Sequence, residues 1–245
     1  MTLDAPVNEM WWYTVFREKI RSASDEELPQ LIEKLYRDFL IKDKGFQPDE
    51  KGIPLVKNVA SSTITITDIP NTYRFIRFLM YPHLGSATVL ELGCGASPFP
   101  YILVTDGCNV CAVDFRQNVI DNQRKFIPLL PAELQKNIRF DCALAEKLPY
   151  SNSYFDIIVG VDFVEHVRDL DRLMKECVRV LKQDGKMFFS TPILGLSWSP
   201  DHLHNFTEDN IKTLFDKYGF RVKIYKERYY WSRLKPNTFI IEALK

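Results

Sequence analysis

Between Ala87 and Pro192, short apolar runs alternate with helical patterns. The runs are ATVLEL (87–92), CNVCAVDF (108–115), NIRFDCAL (137–144), FDIIVGVDF (155–163) and GKMFFSTP (185–192). PFPYILVTDG, RQNVIDNQRKFIPLL and DLDRLMKECVRVLKQDG, which stand between them, read as helices. Strands that are apolar almost throughout must be covered on both faces. Strand and helix in alternation therefore predict a parallel sheet with helices on each side, joined by right-handed crossovers. A further helix, NFTEDNIKTLFDKYGF, has Thr207 placed to cap it, and RVKIYKERYYW and NTFIIEALK then read as a terminal antiparallel hairpin.

The part before this core has a different character. NEMWWYTVFREKIRS reads as a helix with an aromatic face. SDEELPQLIEKLYRDFL starts on Ser24 with acids in its first turn and places Leu31, Ile32, Leu35 and Phe39 at helical spacing. Residues 43–60 carry two glycines and two prolines and read as a linker, and NTYRFIRFLMYPHL reads as a helix ending near Pro82. The expected division is a helical lid or cap segment over 1–60 and a main domain over 61–245. A lid would fold its aromatic residues over the site; the plainer role for Trp11, Trp12, Tyr13 and Phe16 is to cap the core.

Charge and cysteine usage narrow the functional classes. Lys+Arg and Asp+Glu both number 32, so the formal net charge is zero, against the basic surface of a nucleic-acid binder. The first residues lack the form of a signal peptide, and no run of about 18 uncharged apolar residues predicts a membrane span. Five scattered cysteines fit a reducing cytoplasm better than a disulfide framework. Cys108 and Cys111 have C-x-x-C spacing but no second pair to complete a zinc site, and they read as small residues along a strand.

The first strand runs into Glu91-Leu92-Gly93-Cys94-Gly95, and the second ends at Val113-Asp114-Phe115. In an open parallel sheet, ligands lie beyond the carboxyl ends of the strands. An acid roughly 20 residues after a glycine turn is spaced to grip ribose hydroxyls. A dinucleotide site would continue the pattern with a third glycine so that a pyrophosphate sits on the helix N-terminus. Here Ala96-Ser97-Pro98 follows, and Glu91 would repel a pyrophosphate while suiting a ligand with a positive group.

Taken in order, VLELGCG, VCAVDF, AEKLPYSNSYFDIIVGVDFVEHV and LMKECVRVLKQDGKMFFSTP resemble the motifs of the class I S-adenosylmethionine-dependent methyltransferases. The likeness is to the branch with ubiquinone-biosynthesis-like and other small-molecule enzymes, and it covers roughly residues 72–223. It implies an α/β fold: a Rossmann-like, seven-stranded, mostly parallel sheet with helices on both faces and an antiparallel C-terminal hairpin, plus the N-terminal helical extension. It also implies that Glu91 and the backbone of Gly93, Cys94 and Gly95 contact the methionine part of S-adenosylmethionine. Asp114 would take the ribose hydroxyls and Phe115 would pack near adenine. Ala143, Leu144 and Ala145 would hold the adenine edge, with Gly160 and Val161 near the methionine end. The family often has Asp where this chain has Leu144, so either Asp141 or backbone and water would receive the adenine amine.

Methyl transfer from a sulfonium needs alignment above all, and a base only when the nucleophile holds its proton tightly. Two clusters stand where a base would be placed: Asp162-x-x-Glu165-His166 after the fourth strand, and His202-x-His204 after the fifth. Three roles compete. These residues order the local loops, or His166, His202 or His204 serves as general base, or Asp162, Glu165 and His166 hold a divalent ion, as in metal-dependent members that the chain resembles. The expected activity is methylation of a small-molecule acceptor, at oxygen. RNA or protein methylation and an inactive methyltransferase-like partner subunit are the alternatives. The acceptor's identity and the oligomeric state are not legible here.

Overall fold

The computed structural model describes residues 22–27, 71–193, 202–227 and 237–245. The chain divides into two compact units. One comprises Met1–Ser62 with Ser199–Leu203, and the other Thr63–Trp198 with His204–Lys245. In the first unit, Ser24 and Glu27 exchange the bonds of a capping box. The Glu27 amide donates to Ser24 Oγ at 3.2 Å, and the Ser24 amide donates to Glu27 Oε2 at 3.2 Å. The expected aromatic helix and the 43–60 linker lie outside the described residues.

The second unit is built on a seven-stranded sheet in the order β3-β2-β1-β4-β5-β7-β6. The strands are β1 (Thr88–Leu92), β2 (Asn109–Asp114), β3 (Ile138–Cys142), β4 (Phe155–Gly160), β5 (Leu181–Pro192), β6 (Arg221–Glu227) and β7 (Thr238–Leu244). Strands β1 to β5 pair in parallel, while β7 runs antiparallel to both β5 and β6. The hairpin therefore enters the sheet with its second strand inside, and β6 forms the edge.

Alternation along the strands divides the core between the two faces. Leu90, Leu92, Ile158, Phe189 and Ile241 pack with Leu173, Met174 and Cys177 of α5 (Leu170–Val180) and with Ile211 and Phe215 of α6 (Glu208–Asp216). On the other face, Val89, Ala112, Val159 and Phe188 pack with Ile76 and Met80 of α1 (Asn71–Met80), with Phe99, Leu103 and Val104 of α2 (Phe99–Thr105) and with Ile120 of α3 (Gln117–Arg124). Cys108 and Cys111 belong to opposite clusters, and all five cysteines are free thiols. No helix among the described residues is long and apolar enough to cross a membrane.

The structure corrects three sequence boundaries. RQNVIDNQRKFIPLL is not one helix: α3 stops at Arg124, a 3-10 turn covers Ile127–Leu129, and the short α4 occupies Ala132–Gln135. Pro128 and Pro131 explain the break, since neither supplies an amide to continue the ladder. Helix α5 ends at Val180, and β5 already begins at Leu181. Lys182–Gly185 form an irregularity in the β4–β5 pairing, which resumes at Ile157 opposite Lys186. Strand β4 ends at Gly160, because Asp162 turns the chain with φ of +47°.

Both late helices are capped by side chains, α6 by the Thr207 that the sequence places there. Thr207 and Asn210 form a capping box on α6. Asp169 accepts from the amides of Asp171 and Arg172, each at 3.0 Å, at the start of α5. Because α5 lies behind the strands that carry the cleft, Asp169→Ala is expected to cost about 1 kcal/mol in urea unfolding; an unchanged unfolding midpoint would contradict the cap's contribution.

Candidate active site

The carboxyl ends of β1, β2 and β4 are adjacent in the sheet, and the chain leaves each of them through a turn that the sequence specifies. After β1, Gly93 and Gly95 take φ values of +65° and +51°, conformations that favour glycine. At Gly93 the space is restricted as well, since a Cβ there would stand 2.5 Å from Phe163 Cδ2. The Cys94 amide donates to Val113 O at 2.9 Å, which ties the turn to the end of β2. From α3, the buried Gln123 side chain donates to the carbonyls of Gly95 and Ser97 at 2.8 and 2.9 Å. One amide thus closes the turn from behind.

Two buried carboxylates flank this turn. Glu91 is 1 % exposed, and its Oε2 has no hydrogen-bond partner. Burial, with the nearby Asp114 charge adding to it, pushes its carboxyl well above the usual 4.5. Asp114 is 3 % exposed and is fully engaged: Oδ1 accepts from the Arg116 amide and Nε, and Oδ2 accepts from the Gly95 amide and Arg116 Nη2. Phe115 is half-buried, with the Arg116 guanidinium 5.5 Å from its ring centre.

The third wall follows β3. The Ala143 amide donates to Asp114 O at 3.1 Å, leading into Leu144 and the buried Ala145. Arg179 of α5 donates to the carbonyls of Leu148 and Tyr150, while Glu176 accepts from the Leu148 amide. The Asp141 carboxylate accepts from Arg139 Nε at 2.9 Å and from the Tyr150 hydroxyl at 2.8 Å, which ties it to its neighbours on this wall.

Beyond β4, the Asp162 amide donates to Ser190 Oγ at 2.9 Å, and Ser190 Oγ donates back to Asp162 Oδ1 at 2.8 Å. This exchange fixes the left-handed turn and directs Phe163 onto Gly93 and Gly160. A 3-10 turn over Val164–His166 follows. Glu165 is buried; among the described residues neither carboxylate oxygen has a hydrogen-bond partner of good geometry, and the Thr191 hydroxyl is its nearest donor. Burial raises its pKa, and the His166 ring, 3.8 Å from Oε1, opposes that rise. His166 keeps about a third of its side chain exposed.

The other two histidines are placed differently. His204 accompanies the main unit; its Nε2 donates to Val167 O at 2.8 Å and its amide to Glu165 O at 3.2 Å, so it orders the loop behind His166. His202 is nearly buried and falls in the segment grouped with Met1–Ser62. Val161 and Cys94 are buried at the ends of β4 and β1. Sequence reasoning passed over Arg116, Gln123, Phe163 and Ser190. Only Arg116 had a usable signal, as a cation two residues beyond a strand-end acid.

Residues 90–189 match the family model described as a methyltransferase domain. A ubiquinone biosynthesis O-methyltransferase of Coxiella burnetii is 35% identical over 103 residues, which is 42% of each chain. A demethylmenaquinone methyltransferase of Lactobacillus johnsonii is 35% identical over 118 residues, covering 44% of this chain and 48% of the relative. The chain thus spans less than half the length of the curated relatives it matches. Solved S-adenosylmethionine-dependent methyltransferases from Methanosarcina mazei and Mesorhizobium loti share the fold. Their TM-scores are 0.56 and 0.57 at 21% and 17% identity, covering 68% and 70% of this chain and 96% of each neighbour.

Glu91 has a measurable consequence for stability. Unfolded, its carboxyl loses its proton near the usual 4.5; folded, it holds that proton to higher pH. In between, the native state binds more protons than the unfolded state, so this contribution to stability falls as pH rises. Glu165 acts with the same sign, so Glu91→Gln removes only one part. Urea unfolding at pH 5 and pH 8 is expected to show a smaller loss of stability in Glu91→Gln than in the native chain. Equal losses would contradict the buried carboxyl.

Proposed function

We propose that this chain, whose residues 90–189 match a methyltransferase domain, is a class I S-adenosylmethionine-dependent methyltransferase that methylates a hydroxyl oxygen of a small acceptor. The observation that carries the reading is the pair of buried acids beside a glycine turn. An unpartnered Glu91 oxygen and a backbone-oriented Asp114 fit a ligand with an ammonium at one end and a diol at the other. When bound, S-adenosylmethionine supplies a methyl group already activated on sulfur. Glu91 meets the ammonium and gives up its proton as that charge arrives. Asp114 accepts from the ribose hydroxyls, and Phe115 with the 143–145 loop encloses adenine. Gly93, Cys94 and Gly95 let the backbone approach the amino-acid part, while Gly160 and Val161 border it.

His166 would take the acceptor's hydroxyl proton as the methyl's bond to sulfur is exchanged for one to the acceptor oxygen, with the neutral thioether as leaving group. Glu165, buried beside it, stabilises the imidazolium that results. His204 keeps the loop behind His166 in place. The names of the ubiquinone-biosynthesis O-methyltransferases favour oxygen as the acceptor atom, and a phenol or catechol is a hydroxyl acidic enough for a histidine to deprotonate. The free thiols support a cytoplasmic setting, and residues 1–60 are proposed as a lid or cap segment.

One observation favours a second reading of the same corner. Both Glu165 oxygens are buried without a hydrogen-bond partner of good geometry among the described residues, as befits a carboxylate that holds a divalent ion together with His166. Asp162 fits that role less well, because Ser190 holds its Oδ1.

The test is mass spectrometry of catechols and phenols incubated with the chain and S-adenosylmethionine, where the expected product gains one CH2. His166→Ala is expected to lower kcat by roughly 10²–10⁴-fold while leaving S-adenosylhomocysteine affinity unchanged. Full activity in that variant would overturn the base. Turnover that survives a chelator supports His166 acting alone, and turnover lost to the chelator and restored by magnesium supports the cation. Tight S-adenosylhomocysteine binding without turnover on any acceptor would instead fit an inactive partner subunit.

A further inference from the structure

We propose that Arg116 is an internal competitor for the ribose diol, and that it sets the affinity of the chain for its nucleoside cofactor. The inference rests on Asp114 being the ribose-binding carboxylate.

An ionised carboxylate has about four acceptor positions. In Asp114 all four are occupied, but by two kinds of donor. The amides of Gly95 and Arg116, at 3.1 and 3.0 Å, belong to the main chain and fix how the carboxylate faces. The other two donors, Arg116 Nε on Oδ1 at 3.0 Å and Nη2 on Oδ2 at 3.2 Å, belong to a side chain that is about a third exposed. The removable donors number two, one on each oxygen, and they come from one planar fork. A cis diol offers the same thing: two donors from one rigid group, one for each oxygen. The guanidinium therefore occupies the positions that the ribose hydroxyls need.

Displacing it has a definite cost and an available destination. The pair is a charge-assisted fork on a nearly buried acid, so the cofactor's hydroxyls must replace an ion pair and not water. The guanidinium also lies 5.5 Å from the centre of the Phe115 ring, a contact that does not depend on the carboxylate. The backbone donors stay in place throughout, so Asp114 keeps its orientation when the side chain leaves. Arg116 is thus a positioning residue that acts through Asp114.

Calorimetry of S-adenosylhomocysteine with the full chain tests this. Arg116→Ala and Arg116→Ser are expected to bind about 1.5–5-fold tighter than the native chain, the range for losing a partly exposed ion pair. The gain should vanish for the 2′-deoxyadenosyl analogue, which cannot fill both positions; a merely structural effect would move both ligands alike. Unchanged or weaker S-adenosylhomocysteine binding in both variants, with native unfolding midpoints, would overturn the proposal. Asp114→Ala separates this from the underlying reading. If it weakens binding while the Arg116 variants fail to strengthen it, the competitor alone falls; if it leaves binding unchanged, the ribose assignment falls too.

Discussion

The site depends on two carboxylates that the sheet takes out of water without giving each an opposite charge. Glu91 is the fourth residue of β1, and Asp114 the last residue of β2, the next strand in the sheet. Burying such groups is costly unless something compensates, and the compensation differs between them. Asp114 is met by two amides and by Arg116. Glu91 Oε2 has no hydrogen-bond partner among the described residues, and burial with the nearby Asp114 charge raises its pKa well above 4.5.

Much of the surrounding structure serves to hold the ends of three strands still. Gln123 reaches from α3 to two carbonyls of the glycine turn. Arg179 and Glu176 of α5 gather the backbone between Leu148 and Tyr150. Ser190 on β5 stabilises the strained turn at Asp162. Each partner is a side chain on a regular element acting on the backbone of a loop, so the precision of the site comes from the packed core. A single donor is worth about 1 kcal/mol, but leaving a buried carbonyl or amide unmet costs more, which is why these loops have one well-defined shape.

The parallel strands, the antiparallel pair after them and the two-faced core follow from patterns visible in the sequence, because apolar runs of that length admit few other arrangements; that β7 and not β6 lies against β5 does not. The glycine turn, Asp114 and the cap at Thr207 were legible for the same reason: each is a local rule with a local cause. What stayed hidden involves residues far apart in sequence or choices among equivalent donors. Nothing local says that Gln123 turns back onto Gly95, or that Asp141 spends its oxygens on Arg139 and Tyr150. The end of α5 was misplaced because VLKQDG has helical composition, whereas pairing of Leu181 with Phe155 decides its state. Equivalent histidines could not be ranked by spacing; His204 is distinguished only by the Val167 carbonyl that holds it.

The most direct measurement is a crystal structure of the chain with S-adenosylhomocysteine. The account predicts the ribose diol on Asp114, the ammonium within hydrogen-bond reach of Glu91, and the amino-acid portion along Gly93–Gly95. A nucleoside bound elsewhere, or a Glu91 oxygen still without a partner in the complex, would contradict it.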